Sequence, residues 1–407
     1  MGQVLDLAER LWSAGTSTHE LQPVSTLLGL EPLADGLAFL SSFGNVVVLD
    51  TTEGACLIDT GSFFLAGQNH AQVREWTSSP VRLAVYTHGH VDHAFGLGPF
   101  EAEGVRAEVI AHEALAARFE RYELTRGYNE TINQRQFGMP VRWPTEYRYP
   151  DRVYRDRLEL SLGGERIELV HDRGETDDHT WAWLPERKVL CTGDLFIWAS
   201  PNCGNPQKAQ RFPREWARAL RRMASLGAEM LLPGHGMPIL GKGRVEQALT
   251  ETAELLESLV QQTLALMNVG ATRDRVLHEV RAPAHLLTRP YLRPVYDEPE
   301  FIVQNLWRLY GGWYDGNPAH LKPAPHAALS QEIASLAGGA HALVERAREL
   351  GAAGEHRLAC HLVELARGAA PADADVRAAC RELYEARAEA ETSLMAKGVY
   401  RAAAGAD

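Results

Sequence analysis

The stretch His88-Gly89-His90-Val91-Asp92-His93 sets three imidazoles and a carboxylate within six residues, directly after the apolar run at 81–86. Burial alone cannot relax such a cluster, because each polar group would need a partner of its own. A cation supplies one partner for all of them. On an extended turn His88 and His90 point to one side, while Asp92 and His93 turn onto the next position, so the spacing suits two adjacent cations better than one.

The chain around the motif has the texture of an α/β protein from about Leu33 to Leu240, with short β-branched runs set between Gly, Pro and Asp. Residues 44–50 and 55–60 read as a hairpin of two well-buried strands, and 81–86 as a strand that ends at Thr87-His88. Further strands are expected at 107–111, 166–171, 180–184, 189–192 and 229–232.

After Gly243 the pattern changes. Val245, Leu249, Ala253, Leu256 and Val260 fall at helical spacing, with Asn268 and Gly270 as a stop signal, which predicts a bridging helix over 244–267. From Ala327 onward Ala, Leu, Glu and Arg dominate, with breaks at Gly338-Gly339, 351–354 and 369–372, as in a stack of helical hairpins. At 407 residues two domains are the default expectation, and these shifts place them at 1–243 and 244–407. Between 283 and 325 stand Tyr291, Tyr296, Phe301, Trp307, Tyr310, Trp313 and Tyr314, which need an interdomain core or a subunit interface to pack against.

A formal charge of −12 argues against nucleic acid, since neutralising phosphates needs clustered Lys and Arg. Five cysteines without CxxC spacing leave one thiol over in any intramolecular pairing, which fits a reducing compartment. Residues 1–12 read as a short amphipathic helix, unlike a basic-then-apolar signal peptide, and no run reaches the length of a membrane span. The expectation is a cytoplasmic protein that binds neither nucleic acid nor membrane.

The His-x-His-x-Asp-His pattern after a strand resembles the signature of the metallo-β-lactamase fold superfamily. That resemblance implies an αββα sandwich with the metals at one sheet edge, here followed by an all-α domain. Later motifs come in the order the superfamily uses. In Gly174-Glu175-Thr176-Asp177-Asp178-His179, Glu175 stands where most of the superfamily carries histidine, and is the implied third ligand. His179 is the competing choice, because imidazole is the commoner zinc ligand. Asp194, in Thr192-Gly193-Asp194, resembles the carboxylate that bridges both metals, and His235, in Pro233-Gly234-His235-Gly236, is the last ligand. The implied set is His88, His90 and Glu175 on one metal, Asp92, His93 and His235 on the other, and Asp194 on both. Nitrogen and oxygen donors without thiolate fit two zinc ions per chain, and the carboxylates also suit manganese or iron.

The glutamate narrows the resemblance to the alkylsulfatase branch, as does the spacing of Leu184-Pro185-Glu186-Arg187-Lys188-Val189-Leu190-Cys191 before the bridging acid. Pro290-Tyr291-Leu292-Arg293 and Tyr310-Gly311-Gly312-Trp313-Tyr314-Asp315-Gly316-Asn317-Pro318 are similar to stretches of the alkylsulfatase dimerisation domain, which implies a homodimer formed through the helical part. Departures are equally specific. The branch adds a sterol-carrier-like domain that these 407 residues do not include, its bridging acid is usually glutamate, and its closing His-His-Trp-Pro run is here His235-Gly236-Met237-Pro238. Its Arg-Gly-Ala-Gln sulfate-binding run falls near Gln207-Lys208-Ala209-Gln210, without the arginine. Lys208 and Arg211 are the first candidates to grip an anionic substrate, followed by Arg214 and by Asn129 and Arg135 in the stretch 128–135.

The chemistry these resemblances imply is hydrolysis of a small ester by metal-activated water, with Asp92 orienting the water. His179, when it is not a ligand, would hold Glu175 or give a proton to the leaving group. An alkyl sulfate is the first expected substrate. A thioester or lactone, as in glyoxalase II, and a phosphoester follow. An iron-dependent oxidoreductase on the same scaffold is the rival, and His90 counts against it because diiron members usually place glutamate there.

Overall fold

The computed structural model describes residues 2–405. Its apolar runs pair into two sheets. The first holds β1 (Gly29–Ala34), β2 (Leu37–Ser41), β3 (Val46–Thr51), β4 (Gly54–Ile58), β5 (Val81–Val85), β6 (Glu108–His112) and β7 (Arg152–Tyr154), side by side in that order. β1 to β4 form an antiparallel meander, and β4 to β7 run parallel. The second sheet holds β8 (Arg157–Leu162), β9 (Glu165–His171), β10 (Thr180–Leu184), β11 (Val189–Ile197), β12 (Met230–His235) and β13 (Ile239–Leu240), antiparallel except where β11 meets β12.

Phe39, Val47, Leu49 and Ile58 from the first sheet share one core with Ile167, Leu169, Trp181 and Leu190 from the second. Helix Pro213–Ala224 buries Trp216, Leu220 and Met223 in the same core, and the Trp216 indole donates to Leu195 O of β11 at 2.8 Å. This is the expected α/β sandwich. The parallel strands position the candidate site, because loops at their carboxyl ends collect at one edge, where open α/β sheets place their ligands.

By packing, the chain divides into two units. The first takes the described residues up to Arg126 together with Trp143–Trp313, and the second takes Gly127–Arg142 and the described residues from Tyr314. The amphipathic run expected at 244–267 is helix Lys242–Asn268. It packs within the first unit, burying Val245, Leu249, Leu256 and Val260 in the same core as the sheets. Tyr291 and Trp307 join that core, while Tyr310 and Trp313 stand exposed.

The second unit is helical. Helices His326–Ala337, Ala340–Ala352, His356–Ala369, Ala374–Ala390 and Leu394–Ala404 bury Val344, Ala347, Val363, Val376 and Leu383 among themselves. The expected breaks fall between them, and Asp373 and Ser393 cap the last two helices by accepting from backbone amides. Among the described residues no helix is long and apolar enough to cross a membrane.

Candidate metal centre

β4 and β5 deliver the first part of the site. Beyond β4 the chain turns at Asp59, whose backbone sits at φ 60. Its buried carboxylate accepts from Thr87 N at 2.7 Å and Thr87 Oγ1 at 2.8 Å, and it lies 2.8 Å from His93 Nδ1. That contact fixes the His93 ring so that Nε2 faces away, a common way to orient a metal-binding imidazole. Thr60 adds a second hold, with its amide donating to His93 O at 2.7 Å. From the other side Asp178 accepts from Gly89 N at 2.8 Å and from Arg118 Nε at 2.7 Å, which pins the backbone between His88 and His90.

β11 and β12 deliver the rest. The strand expected to stop at Thr192 runs on to Ile197, with its pairing to β12 shifted at Gly193. The irregularity re-aims the strand at Asp194. Across it lies Gly234, where any Cβ would fall 2.1 Å from Asp194 Oδ1, so the neighbouring strand must carry glycine. Gly44, at φ +78, has the same role on the other flank, since a Cβ there would sit 1.8 Å from Asp92 O.

Two groups of donors result. His88, His90, Glu175 and Asp194 form one, and Asp92, His93 and His235 the other, each with its ligand atoms within 4.8 Å of one another. Glu175 Oε2 lies 3.5 Å from His88 Nε2 and 3.7 Å from His90 Nδ1. His235 Nε2 lies 3.3 Å from both His93 Nε2 and Asp92 Oδ2. Asp194 reaches both groups, with Oδ1 3.3 Å from His93 Nε2 and Oδ2 3.9 Å from His88 Nε2 and 3.5 Å from His235 Nε2. A tetrahedron with metal bonds of about 2.1 Å has edges of about 3.4 Å, so these separations would suit a metal ion held between the donors.

The electrostatics agree. Burial holds the His88 and His90 imidazoles well below their usual range, the neutral form a metal requires. In His235 the carboxylates of Asp194 and Asp92 overcome burial and lift the imidazole to about 10. His93 is raised likewise against burial, mainly by Asp194 and Asp59, so this corner favours a positive charge. Glu175 Oε2 and Asp194 Oδ1 are buried and accept no hydrogen bond of normal geometry among the described residues. Leaving such oxygens unpaired is costly, and a bound cation would answer both, so the residues present fit a metal pair.

His179 sits apart from the donor atoms. Its Nε2 accepts from the Asp194 amide at 3.1 Å and its ring stacks on His88 at 4.9 Å, so it braces Asp194 and His88 from behind. Glu175 is held by Asn202 Nδ2 on Oε1 and by Arg211, not by His179. Arg211, expected at the substrate's anionic group, is only 2% exposed and donates from Nη1 to Glu175 O at 2.6 Å. Lys208 is half-buried, and the charges of Arg211, Asp92 and Glu175 all act on it. Arg214 is an exposed residue of helix Pro213–Ala224. Asn129, buried, and Arg135, exposed, belong to the second unit, on helix Arg126–Phe137.

Sequence reasoning missed Asp59, Asp178 and Asn202. Only Asp59 carried a signal, an acid at the end of an apolar strand next to Thr60-Gly61.

The geometry can be set beside known proteins. Residues 41–235 match the metallo-beta-lactamase superfamily, and residues 272–406 match the family described as alkyl sulfatase dimerisation. A linear primary-alkylsulfatase of Pseudomonas sp. (strain ATCC 19151) is 26% identical over 320 residues, 72% of this chain and 60% of that protein. An (R)-specific secondary-alkylsulfatase of Pseudomonas sp. is 25% identical over 366 residues, 82% of this chain and 55% of the relative. The chain thus spans little more than half the length of the curated relatives it matches. The solved structure of a stereoselective inverting sec-alkylsulfatase from Pseudomonas sp. superposes with a TM-score of 0.83 at 23% identity, covering 92% of this chain and 64% of that one, which shows a common fold. With both matched regions in place, the chain carries a metallo-β-lactamase domain at 41–235 followed by an alkyl sulfatase dimerisation domain at 272–406.

Proposed function

We propose that this protein is a metal-dependent hydrolase that cleaves the sulfate ester of a small molecule with an apolar tail, using two zinc ions per chain. The observation that carries the reading is the pair of abutting donor groups joined by Asp194, whose carboxylate oxygens face both. The names of the relatives, alkylsulfatases along most of this chain, favour a sulfate ester over other esters. The match at 272–406 supports the pairing of two chains through that region.

When bound, the cation pair supplies acidified water and draws charge from the ester oxygens. The chain's own residues do the rest. Asp59 and His179 hold His93 and Asp194 still, so that little reorganisation accompanies the reaction. Asp92 is the least buried carboxylate of the donor set, which supports a role for it in orienting the attacking water. Lys208 offers the anionic group a cation.

An apolar tail has a wall to lie on. Phe43 meets the His235 ring edge-on at 5.7 Å, Phe64 lies 5.7 Å from Phe43, and Phe63 lies 5.2 Å from Phe64. These rings lead from the metal ligand out to Phe64, which is 58% exposed. Both turns that carry them are pinned to the ligand loop, through Gly44 against Asp92 and Gly61 beside Ala94. Burying a methylene contributes about 0.8 kcal/mol, so kcat/KM should rise roughly threefold to fourfold for each CH2 laid on the wall. Phe64→Ala is expected to flatten that slope, read from a series of linear alkyl sulfates. An unchanged slope would place the tail elsewhere.

The function itself is tested by following sulfate release from the zinc-loaded protein with alkyl sulfates of several chain lengths. Release is the expected result. No sulfate from any of them, with turnover of a thioester or lactone instead, would move the assignment to those substrates.

A further inference from the structure

We propose that Arg211 is the fixed counter-charge that allows a carboxylate, Glu175, to occupy a metal-ligand position that a neutral imidazole would otherwise fill. Arg211 then acts as a positioning residue behind the ligand, and substrate does not reach it. The inference rests on the reading of Glu175 as a metal ligand.

Geometry divides the Glu175 carboxylate into a held side and an offered side. Oε1 accepts from Asn202 Nδ2 and lies 3.2 Å from Arg211 Nη2, while Oε2 faces His88 Nε2 and His90 Nδ1 at 3.5 and 3.7 Å. Arg211 Nη1 donates to the backbone carbonyl of the same glutamate at 2.6 Å. One guanidinium therefore grips a single residue at two points. The fork geometry of arginine makes this possible, and a lysine's single ammonium cannot copy it.

Charge gives the grip its reason. With histidine in this place the donor group His88, His90 and Asp194 would carry one negative charge. Glu175 adds a second, fully buried. A buried charge needs compensation beyond what its cation gives. Arg211, itself 2% exposed, returns the charge to the value the imidazole version would have.

Both parts of the clamp are anchored to helix Pro299–Gly311 or to the residues just before it. Asn305 Nδ2 donates to Arg211 O at 3.1 Å, and Asp297, just before the helix, accepts from Gly204 N at 2.6 Å, which steadies the turn that presents Asn202. A surface cation searching for a substrate anion would have neither anchor nor burial.

The test is a substitution cycle read by bound zinc per chain and by competition with a chromophoric chelator. Arg211→Met is expected to weaken one of the two zinc ions by roughly 100-fold and spare the other. Arg211→Lys, which keeps the charge but loses the fork, should fall between. Glu175→His alone leaves the arginine's charge uncompensated beside a cation, so it should bind zinc worse than Glu175→His combined with Arg211→Met. This reversal distinguishes charge balance from general damage, and circular dichroism of each variant checks the fold. Wild-type zinc affinity in Arg211→Met, or equal affinity of the two Glu175→His proteins, overturns the proposal while leaving Glu175 as a ligand. Two tightly held zinc ions in Glu175→Gln overturn the ligand reading and the clamp together.

Discussion

Asp194→Ala is expected to lower sulfate-ester turnover by a factor on the order of 10³ or more and to reduce bound zinc from two toward one per chain. The expectation follows from where the side chain sits. Its two oxygens lie 3.3 Å from His93, 3.5 Å from His235 and 3.9 Å from His88, so one substitution removes a donor from both groups. It also removes the anion that most strongly lifts the His235 imidazole to about 10 and so makes that corner attractive to a positive charge. Asp194→Asn is the sharper comparison, because it keeps the shape and one carbonyl oxygen while losing the charge. It should retain the fold, hold the second zinc weakly and remain nearly inactive. Metal content and sulfate release measured on the same sample decide the matter. Two tightly held ions with turnover within tenfold of wild type would mean that Asp194 does not join the sites.

How much of this site could be read in the sequence depends on the distance over which each residue acts. His88, His90, Asp92 and His93 were legible because they are neighbours on one turn, so their spacing alone implies a shared centre. Asp59 acts on His93 from 34 positions away, and Asp178 acts on Gly89 from 89. No local pattern encodes such a pair. Arg211 shows a second limit. A charged residue is read by default as a surface group, and only the packing shows that its charge is taken up by a buried carboxylate.

The strands obey the same logic. β10 matched its expected bounds because Thr180–Leu184 is a β-rich run between clear stops. β1, with Pro32 and Glu31 inside it, lacked that pattern and forms by pairing with β2. β11 ran past its expected end because a glycine read as a stop is instead an irregularity within the strand. For helix Lys242–Asn268 periodicity announced the helix and its apolar face, yet it did not name the partner, which proved to be the core of the first unit.

Replacing Lys208 with arginine is expected to extend activity toward alkaline pH. Lys208 lies half-buried with its ammonium 5.9 Å from the Trp143 ring centre. Burial, reinforced by the charge of Arg211, pushes the amine down to about 7, against the opposing pull of Asp92 and Glu175. The amine is therefore charged below about pH 7 and neutral above it. Attraction for the single negative charge of a sulfate ester is present on the acid side and fades as the pH rises. A guanidinium stays protonated throughout this range, so Lys208→Arg should keep kcat/KM high where the wild type declines. Lys208→Met should lower kcat/KM at about pH 6 by roughly tenfold to 100-fold and lose the pH response that the amine confers, because a charge-assisted contact of about 1.5–3 kcal/mol disappears. A neutral ester provides the control, since it has no charge to hold and all three proteins should treat it alike. Superimposable alkaline limbs for the wild type and Lys208→Arg would show that the anion is held elsewhere. The acidification of water by the metals would then set the whole pH profile.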